Sequence, residues 1–375
     1  MVSPKAFFDA LVGNGVTFFT GVPDSLLKDF CAYVTDNAPK ENHIIAANEG
    51  AAVALASGHT LATGKPALVY MQNSGLGNAV NPLLSLADKE VYSVPMLLMI
   101  GWRGEPGKKD EPQHVKQGRV MLKMLEAMEI PHVTIDATVA DLKGTLEKAV
   151  AGAVAHGGPC ALVISAGTFD KYVLKDEAAP AYALRREEAI QAVLETIGDE
   201  DVVVSTTGMA SREVFELREH KNQGHRNDFL TVGAMGHCSQ IALGIALERR
   251  DKNVYVLDGD GAVIMQMGSL AIIGTEAPAN FKHILINNGA HDSVGGQPTS
   301  GFRVDFGTMA KACGYEVALI AESAEQIRDG IEALKQAQGP ALLEIRVRKG
   351  ARKDLGRPTT TPVENKKALM ELLAT

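Results

Sequence analysis

The chain has 375 residues, which is too many for one ordinary hydrophobic core and predicts two domains. Its composition, 46% hydrophobic and 22% charged, is typical of a soluble globular protein, and a net charge of −8 argues against nucleic acid as a partner. No apolar run approaches a membrane span or a signal peptide, and four scattered cysteines without a CxxC pair favour a reducing compartment, so we expect a cytoplasmic protein.

Short apolar strands alternate with helix-length segments along the whole chain, in two similar series. The first half has six predicted strands: Val16–Thr20, His43–Ala46, Ala67–Met71, Met96–Ile100, His132–Ile135 and Ala161–Ile164. The second half also has six: Val202–Val204, Phe229–Val232, Val254–Leu257, His283–Ile286, Glu316–Ile320 and Ala341–Ile345. This pattern predicts two doubly wound parallel α/β domains, residues 1–175 and 183–375, joined by a linker at 171–182. An α/β duplication without catalytic chemistry is the alternative at this point.

In the first half, Asn48-Glu49-Gly50 opens a helical segment of very small residues. Small side chains allow a helix to approach another surface closely. An acidic residue at a helix start is also favoured by the helix dipole, so Glu49 alone does not distinguish a functional from a structural role.

In the second half, three loops that follow predicted strands are rich in glycine and small polar residues. They are Ser205–Met209, Gly233–His237 and Gly259–Ala262. Glycine loops that open onto helices present backbone N–H groups to anions. Candidates to hold a diphosphate in this way are Thr207, Gly208, Gly261 and Ala262. For any one loop, a tight turn is an adequate alternative explanation.

In the second half, two consecutive predicted strands are followed by side chains with hard-oxygen atoms. Asp260 lies in Gly-Asp-Gly after one strand, and Asn288 ends the Asn-Asn pair after the next. Right-handed crossovers make the two strands parallel, so both side chains emerge at the carboxyl edge of one sheet. A carboxylate and an amide oxygen there suit Mg²⁺ bound to phosphates.

Asn48-Glu49-Gly50 together with Gly259-Asp260-Gly261 and Asn287-Asn288 resembles the thiamine diphosphate (ThDP) decarboxylases, across essentially the whole chain. The resemblance implies that the first domain binds the aminopyrimidine and the second binds the diphosphate. It implies that Glu49 activates the cofactor, that Asp260, Asn288 and the Ala290 carbonyl bind Mg²⁺, and that Met235 supports the bent cofactor. The implied cofactor-binding set is Glu49, Thr207, Gly208, Gly233, Met235, Gly259, Asp260, Gly261, Ala262 and Asn288.

The chain departs from the larger ThDP decarboxylases in two ways. Asp260 and Asn288 stand 28 positions apart, one more than expected, and there is no room for a third domain. The compact form resembles the phosphonopyruvate and sulfopyruvate decarboxylases. Segments such as Gly21–Leu27, Gly101–Gly107 and Gly295–Thr299 favour the phosphonopyruvate group. That resemblance implies decarboxylation of 3-phosphonopyruvate to phosphonoacetaldehyde, in phosphonate biosynthesis.

Basic residues agree with an anionic substrate, since Arg and Lys recognise phosphonate or sulfonate by charge-assisted hydrogen bonds. We expect Arg103, Arg352 and Arg357 to be substrate or lid groups, although solvated surface charge explains many such residues. For proton relay the candidates are Asp24, His291 and Asp292, and for substrate positioning they are Ser25, Gln72 and Asn73.

The family resemblance also implies a homodimer or higher oligomer with active sites between subunits. Three alternatives stay open: a sulfopyruvate decarboxylase, another short 2-keto acid decarboxylase, and a non-catalytic cofactor-binding or assembly protein. A nicotinamide dehydrogenase is disfavoured, because no GxGxxG opens a helix after the first strand.

Overall fold

A computed structural model describes residues 1–175 and 182–374. The chain divides into two compact units, Met1–Glu177 and Ala178–Thr375. Half of the linker predicted at 171–182, residues 176–181, lies outside the described residues. Within the described part of the chain, the structure contains no helix with the length and apolar character needed to cross a membrane.

Unit 1 contains six parallel strands flanked by helices. The strands are β1 (Phe19–Gly21), β2 (His43–Ile45), β3 (Ala67–Gln72), β4 (Met96–Gly101), β5 (His132–Ile135) and β6 (Pro159–Ile164). The helices are α1 (Pro4–Gly13), α2 (Lys28–Asn37), α3 (Glu49–Thr63), α4 (Leu76–Pro82), α5 (Pro112–Ala127) and α6 (Leu142–His156). The strand order across the sheet is β2-β1-β3-β4-β6-β5.

Unit 2 also contains a six-stranded parallel sheet. Its strands are β7 (Val202–Ser205), β8 (Asp228–Leu230), β9 (Val254–Gly259), β10 (Phe281–Asn287), β11 (Val317–Ala321) and β12 (Ala341–Arg346). Its helices are α7 (Arg186–Thr196), α8 (Met209–His220), α9 (Cys238–Glu248), α10 (Asp260–Met265), α11 (Ser269–Glu276), α12 (Phe306–Ala312), α13 (Ala324–Gln336) and α14 (Pro362–Leu373). The strand order is β11-β12-β10-β9-β7-β8.

The two sheets have the same topology. When the strands of each unit are counted from its own start, both sheets read 2-1-3-4-6-5, one of them in the reverse direction. All twelve predicted strands are present, so the predicted fold class is confirmed. The helical segment between β9 and β10 starts at Asp260 and is interrupted where Gln266 leaves the helical region of backbone conformation.

Each sheet is covered on both faces, which explains why the strands are continuously apolar. In β3, Leu68 packs in one hydrophobic cluster and its neighbour Val69 in the other. In β9, Tyr255 and Val256 divide in the same way. Successive strand residues point to opposite faces, so nearly every position must be hydrophobic. Polar side chains therefore become available mainly where the strands end.

The edge strand β8 of unit 2 is held by polar contacts with helices. The Asn365 side chain of α14 accepts from Leu230 N–H at 3.0 Å and donates to Asp228 O at 2.7 Å, which covers part of the open edge. Asp228, the first residue of β8, forms a buried bidentate pair with Arg218 at 3.1 and 3.2 Å. This pair lies at the amino end of the strand and stabilises the sheet away from its carboxyl edge.

Candidate functional site

Glu49 is a buried carboxylate at the start of α3. The Asn48 side chain caps the helix by accepting from Ala51 N–H at 2.9 Å, and Glu49 is only 5% exposed. Asn78 Nδ2 donates to its Oε2 at 2.8 Å, and a Cβ on Gly75 would lie 2.2 Å from its Oε1. No basic side chain pairs with Glu49 among the described residues. A desolvated carboxylate without a counter-ion is a good acceptor for a ring N–H of a bound cofactor.

Asp24 is fully buried in the turn after β1 and belongs to a chain of hydrogen bonds. Gln72, the last residue of β3, donates to Asp24 Oδ1 at 2.6 Å, and Ser74 Oγ donates to Gln72 Oε1 at 2.7 Å. Burial raises the pKa of the Asp24 carboxyl, although the bonds from Gln72 and from Leu26 N–H oppose this effect. The residues predicted at 24 and 72 are therefore one hydrogen-bonded group at the carboxyl edge of the sheet.

Arg103, in the loop after β4, is clamped by Asp110. Its Nε donates to Asp110 Oδ2 at 2.8 Å, its Nη2 bonds the other carboxylate oxygen, and its Nη1 donates to Ser25 Oγ at 2.6 Å. The Asp110 carboxylate also accepts from Gly104 N–H at 2.7 Å, which shapes the loop. A guanidinium has five N–H donors, so two remain for an anion. Sequence reasoning missed Asp110, whose signal was a carboxylate among the glycines, prolines and basic residues of one short loop.

Two buried polar atoms beside this loop have no hydrogen-bond partner among the described residues: Nδ1 of His114 and Oδ1 of Asn73. Asn73 donates from Nδ2 to Arg103 O at 2.7 Å. Burial, assisted by the charge of Arg103, lowers the pKa of His114 to about 4, so its ring is neutral at pH 7. Unpaired buried polar atoms are costly, and a bound polar ligand would supply these two with partners. Sequence reasoning gave His114 no catalytic role.

Asp260 is the first residue of α10 and is 3% exposed. Its carboxylate accepts a hydrogen bond from the Thr299 hydroxyl, and this bond together with nearby backbone N–H groups acts to lower its pKa. Burial nevertheless raises its pKa to about 6. No basic side chain pairs with it in the described ranges, so a bound cation would supply the missing positive charge.

Asn288 lies beside Asp260 with its side-chain amide held at both ends. Its Nδ2 donates to Asp292 at 2.8 Å, and its Oδ1 accepts from Ala290 N–H at 3.0 Å. The turn requires glycine at 289, where φ is +65° and the Phe302 ring lies 2.5 Å from the position of a Cβ. The structure thus brings together a carboxylate, an amide and the backbone of residue 290, hard-oxygen donors that suit Mg²⁺. The described residues include no metal-binding group of three or more His, Cys, Asp or Glu side chains, and the predicted ligand set contains only one such side chain.

Asn287, the other member of the pair, has a structural role. Its Nδ2 donates to Gly301 O and to buried Glu344, both at 2.9 Å. A Cβ on Gly301 would lie 2.4 Å from Asp260 Oδ2 and 2.5 Å from Asn287 Oδ1. Close approach of the 299–301 loop to both side chains therefore requires glycine at 301, a feature that sequence reasoning missed.

The other predicted cofactor residues of unit 2 meet at the same edge. A Cβ on Gly261 would lie 3.4 Å from Met235 Cε and 3.0 Å from His291 Cε1, and one on Gly208 would lie 2.6 Å from Ser293 Oγ. Burial lowers the pKa of His291 to about 4. The remaining members lie in or beside the same loops: Thr207, Gly233, Gly259 and Ala262. These loops offer backbone N–H groups beside the metal-ligand candidates, which fits a diphosphate.

The two arginines predicted near the C-terminus, Arg352 and Arg357, have different surroundings. Arg352 forms ion pairs with Glu187 at 2.9 Å, with Asp354 at 3.3 Å and, at close contact, with Glu216. It therefore ties its segment to α7 and α8. Arg357 is exposed on the segment before α14.

Comparison with known proteins identifies relatives over almost the whole chain. Residues 2–133 match the N-terminal TPP binding domain of thiamine pyrophosphate enzymes, and residues 206–345 match their C-terminal TPP binding domain. The chain is 35% identical to phosphonopyruvate decarboxylase of Streptomyces viridochromogenes, over 97% of this chain and 93% of the relative. It is 33% identical to that of Streptomyces hygroscopicus, over 97% and 92%. Sulfopyruvate decarboxylase of Methanosarcina acetivorans is 26% identical, over 90% and 89%.

The raised pKa of Asp260 predicts a pH-dependent stability of the metal-free protein. The native carboxyl has a pKa of about 6, whereas the ordinary pKa of an aspartate side chain is 3.8. This group's stabilising contribution is therefore complete below its unfolded pKa and is lost as pH rises through about 6. Between about pH 5 and about pH 7.5, wild type should lose about 1.4 kcal/mol of unfolding free energy relative to Asp260→Asn. Urea unfolding with EDTA at both pH values measures this; parallel pH profiles of the two proteins would contradict it.

Proposed function

The chain belongs to the phosphonopyruvate decarboxylase family of thiamine pyrophosphate enzymes, and from this premise we propose that it converts 3-phosphonopyruvate to phosphonoacetaldehyde and carbon dioxide. Thiamine pyrophosphate, a synonym of ThDP, is its cofactor. We propose Mg²⁺ as the accompanying metal. The observation that carries the proposal is the alignment of 97% of the chain with two phosphonopyruvate decarboxylases. The sulfopyruvate decarboxylase is a more distant relative.

The residues at the carboxyl edge of each unit fit the two ends of this cofactor. Asp260, the Asn288 amide oxygen and the Ala290 carbonyl would hold Mg²⁺, and the N–H groups of the adjoining loops would hold the diphosphate. Glu49 would accept a hydrogen bond from a nitrogen of the aminopyrimidine. When bound, thiamine diphosphate supplies the carbon nucleophile and electron sink that decarboxylation needs.

Side chains of the protein itself bind the phosphonate group of the substrate and supply the proton that replaces the lost carboxylate. The two remaining N–H donors of Arg103 bind phosphonate oxygens, and Asp110 keeps the guanidinium in the orientation required. Ser25, Gln72 and Asn73 position the substrate around them. Because burial favours the protonated form of Asp24, this carboxyl can supply the proton for the carbon that loses its carboxylate, and Gln72 keeps it in place.

We propose a homodimer as the smallest active form. Glu49 and Asp260 belong to different units of the chain, and the family resemblance implies that they act together from two subunits. Higher oligomers built from such dimers are compatible with the proposal.

Substrate preference tests the proposed reaction. With ThDP and Mg²⁺, kcat/KM for carbon dioxide release should be highest for 3-phosphonopyruvate, lower for sulfopyruvate and lowest for pyruvate. Pyruvate lacks the second anionic group that would engage Arg103, and leaving these partly buried donors unpaired should reduce kcat/KM by about 10²-fold or more. A preference for sulfopyruvate would establish the alternative reaction. Binding of ThDP without turnover of any 2-keto acid would indicate a non-catalytic protein.

Glu49→Gln tests the activating carboxylate. The amide is nearly isosteric but cannot act as an acid or base, so kcat should fall by about 10²- to 10⁴-fold. Affinity for ThDP, measured by isothermal titration calorimetry, should stay measurable because the diphosphate site is intact. Glu41→Gln, at an exposed position of the same unit, is the matched control. Near-normal turnover by Glu49→Gln would refute the role.

Subunit complementation tests the dimer. If Glu49 and Asp260 act from different subunits, a mixed dimer of Glu49→Gln and Asp260→Ala contains one site with both native residues. Co-refolding the two inactive variants should therefore restore part of the wild-type activity. No recovery in a mixture that forms mixed dimers, detected with two different affinity tags, would place both residues in one subunit.

A further inference from the structure

One carboxylate oxygen in unit 2 collects three donors from distant parts of the chain. Asp292 Oδ2 accepts from Asn288 Nδ2 at 2.8 Å, from Arg186 Nη1 at 2.9 Å and from Gly350 N–H at 2.9 Å. These donors belong to the turn after β10, the start of α7 and the segment after β12. We propose that Asp292, held by Arg186 and Glu213, is the positioning residue that determines which end of the Asn288 side-chain amide is available to the metal.

The two ends of the Asn288 side-chain amide differ in chemistry. Only the oxygen of an asparagine side chain can bind Mg²⁺, because the NH₂ group has no available lone pair. An ionised carboxylate only accepts hydrogen bonds, so Asp292 can bind the NH₂ end of Asn288 and repels the oxygen. Ala290 N–H, which only donates, faces Oδ1 at 3.0 Å. An acceptor at one end and a donor at the other permit one orientation of the amide.

Asp292 can perform this function only if it is itself fixed. Arg186 is 6% exposed and bonds Glu213 with two nitrogens, Nε at 2.8 Å and Nη2 at 3.0 Å. Glu213, in α8, is 1% exposed. Glu213 thus fixes the guanidinium through Nε and Nη2, and the third nitrogen, Nη1, bonds Asp292. Breaking a buried pair of this type is costly, so Arg186 and Glu213 form a rigid support for Asp292.

This role replaces the proton relay that the sequence indicated for Asp292. Asp292 Oδ2 already accepts three hydrogen bonds, from a guanidinium, an amide and a backbone N–H, so its geometry is that of a fixed acceptor. The arrangement is instead typical of the groups that orient metal ligands, whose removal weakens metal binding without removing a ligand.

The inference rests on the proposed function, and the test separates the two. In full-length protein with ThDP and no substrate, Mn²⁺ replaces Mg²⁺ and its free fraction is measured by electron paramagnetic resonance. Wild type should bind Mn²⁺, and Asp292→Asn should bind it about 10- to 100-fold more weakly. Failure of wild type to bind Mn²⁺ overturns the proposed function and this inference together. Wild-type affinity in Asp292→Asn overturns this inference alone.

Asp228→Asn is the matched control. It removes the charge of another buried Asp–Arg pair of unit 2, at the amino end of β8. We expect a lower Tm with unchanged Mn²⁺ affinity. Equal losses of Mn²⁺ affinity in both variants would show general destabilisation and overturn the inference.

A double-mutant cycle shows whether Asp292 acts through Asn288. In an Asn288→Ala background the amide is absent, so adding Asp292→Asn should cause little further loss of Mn²⁺ affinity. The same loss in both backgrounds would contradict the positioning role.

Should Asp292→Asn fail to fold, Arg186→Lys is the second variant, because lysine keeps the charge but cannot hold both Glu213 and Asp292. It should weaken Mn²⁺ binding several-fold, and unchanged affinity would again overturn the inference.

Discussion

Burial of carboxylates without a matching positive charge is the constraint on which the rest of the site depends. Asp260 is nearly inaccessible, and its pKa rises to about 6 even though the Thr299 hydroxyl and nearby backbone N–H groups act to lower it. Hydrogen bonds from neutral donors do not replace the solvation of a charge. A fold that keeps this carboxylate at the end of a strand is less stable without a cation than with one. Metal binding and folding of this edge are therefore linked.

The two units share one sheet topology but carry different functional groups at the carboxyl edges of their sheets. In both, the polar residues follow the ends of neighbouring central strands, because the rest of each strand is covered on both faces by helices. The edge of unit 1 carries Glu49 with its Asn78 donor and Asp24 with its Gln72 donor, beside the Arg103–Asp110 pair, which suits proton transfer and an organic ring. The edge of unit 2 carries Asp260, Asn288 and glycine loops, which suits a metal and phosphates. The repeated sheet fixes where ligands bind, and the loops fix which ligands they are.

The sequence patterns correctly predicted the structural features that follow from hydrophobic periodicity and from strand direction. Twelve apolar runs identified twelve strands, and the parallel arrangement of β9 and β10 was enough to place Asp260 beside Asn288. Side-chain pairing was not predictable in this way. Asp110 clamps Arg103 across one loop, and Asp292 joins Arg186, which is 106 positions away. Nothing in spacing distinguishes these carboxylates from solvated ones, and the same applies to Arg352, whose ion pairs to α7 and α8 depend on how the chain returns after β12.

The clamp on Arg103 has a consequence for substrate choice in the proposed reaction. Asp110 already balances the charge of the guanidinium, so this loop would recognise the proposed substrate anion by the geometry of its two remaining donors more than by net charge. Asp24 interacts electrostatically with Arg103, and an ionised Asp24 beside a bound phosphonate would be opposed by like-charge repulsion. A more highly charged substrate therefore favours the protonated form of Asp24, beyond the effect of burial. Binding of the phosphonate and retention of the proton needed to complete the reaction are thus favoured by the same electrostatic interaction.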